Sequence, residues 1–511
     1  MISHEIQCSV PYIDLVKDTV SGILDAEKCQ DRVPPDASLQ LVAKTGIDGS
    51  GSHIVRHQIV NIEKSLDENP HLDPHCYKNY LLCCMTPLAL NCFDNSGECI
   101  PLWRNPNPNA ISYTRPLSLV RAIESREVIE KEFEELFSNM RNGSTVTSIL
   151  SNETTIPVNL ENTISMIDGK MVGIIQGDTG GQKCHYCTST VNDINNIVQI
   201  LKGYKIDKSY ESCMEAWRSV EEGEIDWASS RREGQCHKPL APVNNFAILH
   251  WKLRSFDYVL NILYRLVAGV HVWGKTDVIN SEKIKQAKTK TQEHIRQNVG
   301  ILVDVPTQGG GNTNNGNVAR TFFNPKFRHT ICSLIEDEVD RTNYNTFLRD
   351  INVMLSVCLG LRSDVNVDKL RQLGINIMSH IRTAFMKDGI PWVPINPSLH
   401  SMCSHSWELF SMFGVIAIYS EQAQEHWNKY VRNLKSGNGC RARQTSVKLN
   451  IHDVFVRMLR MTHPVVVAKQ RKLLCTVCGQ TGHTARSKMH SNVHEIAQSD
   501  DNILDLYLPD E

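Results

Sequence analysis

Two short apolar runs of this 511-residue chain each end on an aspartate followed by a glycine, and that pattern constrains the fold more than any bulk property. LQLVAKTGI (39–47) runs into Asp48-Gly49-Ser50-Gly51, after which HIVRHQIVNI resumes, which reads as strand, turn, strand. TISMI (163–167) leads into Asp168-Gly169, with a second apolar run, MVGII, just beyond. Between and after these runs the apolar spacing is helical: VIEKEFEELFSNM (128–140), most of 207–300, 329–388, and one or two long helices over 400–435. Strands that deliver carboxylates at their ends, mixed with amphipathic helices, predict an α/β fold.

Composition sets the outer limits. With 54 Lys+Arg against 56 Asp+Glu, any polyanion site must be local. A 41% hydrophobic content suffices for a packed core. The longest apolar stretches, such as LLCCMTPLALNCF (81–93), are shorter than the ~18 to 20 residues a bilayer span requires, and Arg265 interrupts YVLNILYRLVAGVHVW, so no membrane segment is expected. MISHEIQCSVPYIDLVKDTV lacks the pattern of a signal peptide, which predicts a reducing compartment where the 17 cysteines serve as thiols or metal ligands. The expected organisation is a lead-in over 1–38, a core over 39–176, a helical insertion over 177–410, a return to the core over 411–450, and a C-terminal region over 451–511.

Several groups of residues suit metal or phosphate chemistry. Asp48 and Asp168 at strand ends, with a glutamate on a later helix, are the oxygen ligands two-metal phosphoryl transfer needs, although Asp-Gly pairs are also ordinary turn formers. Cys184 and Cys187 form a CxxC, and His400 and His405 an HxxxxH, with spacings suited to tetrahedral Zn²⁺; sequence distance alone does not bring the two pairs together. Cys403, between the histidines, is either a substitute ligand or a small buried residue. Cys475, Cys478 and His483 open like a zinc knuckle, a module that grips single-stranded nucleic acid. Lys488 occupies its fourth-ligand position, so either His490 completes the site or the metal is lost. Lys429, Arg432, Lys435, Arg441, Arg443 and Lys448 form a basic run ahead of an acidic tail, which reads as a phosphate-facing element or a solvated helix face. Asp94, after an apolar strand, reads as a turn residue.

Taken in order, GIDGSGSH (46–53), SMIDGKMVGII (165–175), QKCHYC (182–187), NGNVAR (315–320), LHSMCSH (399–405) and SEQAQEHWNKYVR (420–432) resemble the motifs of a Transib-type DDE transposase, the superfamily related to the catalytic subunit of the V(D)J recombinase. The resemblance implies an RNase H-like core interrupted by a large, mainly helical zinc-binding insertion, with a helical C-terminal region. It further implies a nuclear, cut-and-paste enzyme that nicks DNA, closes a hairpin on the flanking DNA and transfers the freed strand. Asp48 and Asp168 match the catalytic aspartates, and two Mg²⁺ or Mn²⁺ ions are implied. Cys184, Cys187, His400 and His405 would share a structural zinc, and Asn317 and Arg320 resemble a segment that approaches DNA.

At the third acid the register is open: aligning from Ser420-Glu421 makes Glu421 the ligand, aligning from Asn428-Lys429 puts Gln422 there, and Glu425, one turn on, either supports the site or is solvated. The implied partners are transposon terminal repeats and target DNA, bound by a homodimer. Because 47 residues precede Asp48, the terminal-repeat-binding region of relatives is expected to be missing. The alternative is an inactive or host-recruited, transposase-derived DNA-binding protein.

Overall fold

Every residue from Tyr80 to Cys92 is buried, and the reason fixes the architecture of the first half of the chain. Side chains of a strand alternate between its faces. Leu81, Cys83 and Met85 enter one hydrophobic cluster, while Tyr80, Leu82 and Cys84 enter another. The strand therefore lies inside a sheet covered on both sides.

The computed structural model describes residues 2–3, 7–34, 36–50, 79–149, 155–178, 184–223, 237–244, 246–274, 276–306, 312–435 and 451–471. The chain forms two compact units, one comprising 1–179, 213–247 and 418–492, the other 180–212, 248–417 and 493–511.

The first unit is a mixed sheet. Its strands are β1 (Ile2–Ser3), β2 (Gln7–Ser9), β3 (Ser38–Ser50), β4 (Tyr80–Phe93), β5 (Cys99–Arg104), β6 (Arg115–Val120), β7 (Ser144–Ile149) and β8 (Thr155–Ile164). They run in the order β1-β2-β6-β4-β3-β8-β7, and β5 also pairs with β4. β3 and β8 are parallel, with Thr45 opposite Ile164, and the other pairs are antiparallel. One face carries the Tyr12–Glu27 helix through Leu15, Val16, Val20 and Ile23. The other carries the Gln422–Lys435 and Ile451–Thr462 helices through Trp427, Val431, Val454, Phe455 and Met458.

Two sequence expectations change here. The lead-in over 1–38 is part of the sheet unit: β2 pairs with β6, and the Tyr12–Glu27 helix fills the core. Its apolar stripe needs a surface to cover, and the sheet supplies one. Asp48-Gly49-Ser50 does not turn; the ladder with β4 continues through Asp48–Leu82, Gly49–Leu81 and Ser50–Tyr80, which satisfies backbone groups that a turn would leave to water. HIVRHQIVNI lies outside the described residues. Asp94 does sit in a turn, where its Oδ1 accepts from the backbone N–H groups of Ser96 and Glu98, each at 2.9 Å.

The second unit is helical. Four of its longer helices, Val278–Val299, Glu338–Leu359, Val367–Ala384 and Pro397–Phe413, start at Asp277, Asp337, Asn366 and Asn396, whose side chains accept from backbone N–H groups of the first turn. Such caps satisfy orphan donors and set helix starts locally. Helix pairing is then tertiary: a Cβ at Gly374 would overlap the Cys403 carbonyl, so Val367–Ala384 and Pro397–Phe413 approach as only glycine permits. The described cysteines are free thiols, and no helix among the described residues is long and apolar enough to cross a membrane.

Candidate acidic site and metal centre

Lys44, Gly46 and Asp48 share one face of β3, the face that meets the Gln422–Lys435 helix. The contacts run in register along the two elements. Lys44 Nζ donates to the Ser420 carbonyl at 2.9 Å and to Asn109 Oδ1 at 2.9 Å. Gln424 Oε1 lies 3.1 Å from where a Cβ on Gly46 would be, and Gln424 Nε2 donates to the Leu82 carbonyl at 2.8 Å. Asn428 Nδ2 donates to Asp48 Oδ2.

Asp168 arrives from the neighbouring strand. Past the end of β8, Ser165 and Met166 donate backbone N–H groups to the Thr45 carbonyl at 3.0 and 3.1 Å, which keeps this segment against β3. Gly46 makes the approach possible, because a Cβ there would stand 2.5 Å from both Met166 Cβ and the Met166 carbonyl oxygen. Asp168 then caps the Gly169–Gln176 helix, its Oδ1 accepting from the Met171 N–H at 2.8 Å. The run MVGII is thus helix, and its first carboxylate sits where the helix dipole favours negative charge.

A third acid, which the sequence does not single out, lies near Asp168, against the face of β3 opposite Asp48. Glu124 follows β6, and its Oε2 would be 3.0 Å from a Cβ on Gly49. That same oxygen accepts from Lys170 Nζ at 2.8 Å, while its Oε1 is buried without a hydrogen-bond partner among the described residues. Burial pushes the Glu124 carboxyl above its ordinary range; the Lys170 hydrogen bond opposes this, and the charge of Asp168 adds to it. Its one sequence signal is an acid just beyond a buried strand end, the same context that marks the two aspartates.

Glu421 is placed differently from the expectation of a helix residue. It precedes the helix, is 2% exposed, and takes a hydrogen bond from Ser420 Oγ at 3.3 Å. It lies beside Lys44, on which its charge acts. The ammonium is fully buried, and burial lowers its pKa to about 7, with Glu421 opposing the shift. Gln422 opens the helix, and Glu425 sits half-buried between Gln424 and Asn428. Lys429 is exposed; Arg432 and Lys435 lie on the helix, with side chains outside the described residues. Arg441, Arg443, Cys475, Cys478 and His483 also lie outside the described residues.

In the helical unit, Cys184, Cys187, His400 and His405 come together, their ligand atoms all within 4.8 Å of one another. All are buried, and both histidines are 0% exposed. Histidines at 400 and 405 are a little more than one helical turn apart, and the Pro397–Phe413 helix directs both toward the loop that carries the cysteines. Cys187 Sγ and His400 Nε2 are 3.3 Å apart, close to the ~3.5 Å edge of a zinc tetrahedron with bonds of about 2.0 to 2.3 Å. His400 Nδ1 pairs with Ser404 Oγ at 3.1 Å, and His405 Nδ1 faces Glu408 Oε1 at 3.6 Å, outer contacts that orient ligand rings. Both ring nitrogens of His405 are buried with no hydrogen bond of normal length among the described residues. Burial pushes the Cys184 thiol up, but hydrogen bonds with Cys187, Ser401 and the backbone outweigh it and hold the pKa at about 7. Buried imidazoles beside an easily ionised thiol form a cluster that can bind a metal such as zinc. Cys403 is outside this group; it is buried near Cys358, and burial raises its thiol well above the usual range.

Asn317 and Arg320 lie exposed on the short Gly316–Phe322 helix, Arg320 Nη2 donating to Asn317 Oδ1 at 3.1 Å. The chain matches no protein-family model and no curated protein.

Proposed function

We propose that this chain is a metal-dependent DNA-cleaving and strand-transferring enzyme with an RNase H-like core, of the DDE transposase kind, acting in the nucleus. The observation that carries the reading is that Asp48, near the end of β3, and Asp168, just past the end of the parallel neighbour β8, lie at the same end of the sheet, with a helix packed along the Asp48 face. A sheet in which a parallel strand joins an antiparallel meander, and whose carboxylates gather at one end, is the framework that such chemistry uses.

The donor set suits hard divalent cations because Asp48 and Asp168 offer carboxylate oxygens at one end of the sheet. Asp48, Asp168 and a helix glutamate would hold Mg²⁺ or Mn²⁺, whose chemistry is to activate an attacking oxygen and stabilise a leaving one. We assign the helix role to Glu425. Asn428 reaches Asp48, and Glu425 lies one turn before it, whereas Glu421 lies about 10 Å back along the helix axis, beside Lys44. Lys170 holds Glu124 in place, and the Lys44 contact fixes the register of the helix. The scissile phosphodiester would lie against Asp48 and Asp168, attacked in line first by water and then by a DNA 3′-hydroxyl, with the opposite oxygen leaving. The buried Cys₂His₂ cluster serves as a structural zinc that closes the helical unit, and terminal repeats and target DNA are the partners, bound by a dimer.

A second reading, a transposase-derived protein that binds DNA without cutting it, draws on the neutral Asn428 amide bonded to Asp48. Strand transfer of pre-nicked DNA ends with Mn²⁺ separates the two. Turnover that Asp48→Ala abolishes supports the enzyme; equal behaviour of wild type and Asp48→Ala leaves only the binding protein.

A further inference from the structure

Arg121 directly follows β6, and the sheet fixes which way it faces. Leu119 packs in the cluster of Trp427 and Val431, on the side that the Gln422–Lys435 helix covers. Val120 belongs to the opposite cluster, and Ala122 packs against that same opposite cluster. Side chains of an extended segment alternate, so Arg121, between those two, shares the helix-covered side with Leu119. Asp48 is on that side as well, because its ladder partner Leu82 enters the same cluster as Leu119.

The ladder also gives the position. Leu82 pairs with both Asp48 and Leu119, and Leu81 pairs with Val120, so the preceding β4 residue, Tyr80, lies beside Arg121. Tyr80 pairs on its other side with Ser50, two residues past Asp48. Arg121 thus stands about 7 Å beyond the Asp48 row and about 10 Å across two strands, a backbone separation of about 12 Å. A duplex strand covers that distance in about three or four nucleotides at ~3.4 Å each.

Tyr80 braces the guanidinium. Its ring is buried in the cluster with Trp427, and the Tyr80 and Arg121 side chains are hydrogen-bonded. Arg121 is half-buried, so its planar fork is oriented by an apolar wall rather than spread into solvent. The neighbouring lysines have other partners: Lys44 donates to Ser420 and Asn109, and Lys170 to Glu124.

We propose that Arg121, held by Tyr80, is a positioning residue that grips a DNA backbone phosphate a few nucleotides from the bond cut at Asp48. This rests on the preceding reading and adds to it a DNA contact made by the sheet itself. Carboxylates gathered at a sheet end repel a phosphodiester, and a fixed guanidinium fork on the same face offsets that repulsion.

The test uses full-length protein and a short duplex DNA in Ca²⁺, across a salt series, so that binding is read apart from turnover. Arg121→Gln is expected to weaken binding about three- to tenfold and to lower the slope of log affinity against log salt by about one, with the melting temperature within about 2 °C of wild type. Arg121→Lys is expected to restore the slope, because the charge returns, but not the full affinity, because the fork does not. In Mn²⁺ strand transfer, Arg121→Gln is expected to raise KM more than it lowers kcat. An unchanged slope and KM in Arg121→Gln overturn the proposal. So does a variant that melts well below wild type yet keeps the wild-type slope, because Arg121 is then structural. If the slope falls but wild type makes no strand-transfer product, the enzyme reading fails and the phosphate contact stands. If wild type turns over while Arg121→Gln keeps its slope and KM, this inference alone fails, and a wild type that does not bind duplex DNA overturns both.

Discussion

Asn428, on the helix that covers β3, donates its side-chain amide to a carboxylate oxygen of Asp48. This contact and the Lys44–Ser420 bond define how the helix lies along the strand, since Lys44 and Asp48 are about 13 Å apart on one strand face. A helix running alongside presents Glu421 at the Lys44 end and Glu425 one turn before Asn428, the residue that reaches Asp48. Glu425→Gln is therefore expected to lower metal-dependent strand transfer by on the order of a thousandfold with DNA binding retained. Glu421→Gln is expected to leave greater activity and to show its main effect in thermal unfolding. The reverse ranking in a strand-transfer assay would return the catalytic role to Glu421.

Lys44 predicts a pH dependence of stability. Its folded pKa, about 7, lies below the unfolded value of 10.5, so over that window the unfolded state binds more protons than the folded one. Stability thus rises with pH between these limits, and the cost of burying the ammonium is fully present below about pH 7. Urea denaturation of wild type against Lys44→Met at about pH 7 and about pH 10 should show the wild type gaining up to a few kcal/mol relative to the variant. A constant difference would mean that Lys44 stays charged throughout.

Gly46 tests the juxtaposition of the two aspartates. Gly46→Ala sets a methyl against the Met166 backbone, which cannot move without displacing the segment that carries Asp168. We expect a loss of about 1 to 3 kcal/mol in denaturant unfolding and a larger loss of cleavage than that destabilisation accounts for. Full activity in the variant would show that β8 and β3 need not approach so closely.

The metal centre can be tested without touching a ligand. Gly374→Ala drives the Val367–Ala384 helix into the Cys403 carbonyl, midway between His400 and His405 on the adjoining helix. Zinc content by mass spectrometry is expected to fall in this variant, as it does in Cys184→Ser, and each is expected to lower the melting temperature by about 10 °C or more, because metal binding is coupled to folding. A full zinc complement in Cys184→Ser would remove the cluster from consideration.

Much of the site was legible before folding because its signals are local. An apolar run ending in Asp-Gly marks a carboxylate at a strand end, and CxxC and HxxxxH each place two metal-binding side chains within a few residues of one another. Glu124 was not legible, since its meaning comes from Gly49 and Lys170, which belong to other elements. Asp48 was read in a turn because Asp-Gly is a turn former; pairing with β4 overrode that preference. The first helix was read as a lead-in because nothing local shows that its apolar face covers β3 and β4.

The amino-acid order by itself determined the strand and helix periodicities, the caps that start the long helices and the ligand chemistry on offer, all of which depend on neighbours within a few positions. Tertiary structure alone decided that Cys184 and Cys187 meet His400 and His405, that Lys44 is fully buried, and that Asn428 reaches Asp48. Those relationships join residues far apart in the chain, and what fixes them is the close packing of helices against sheet and helix against helix, which no short window of sequence contains.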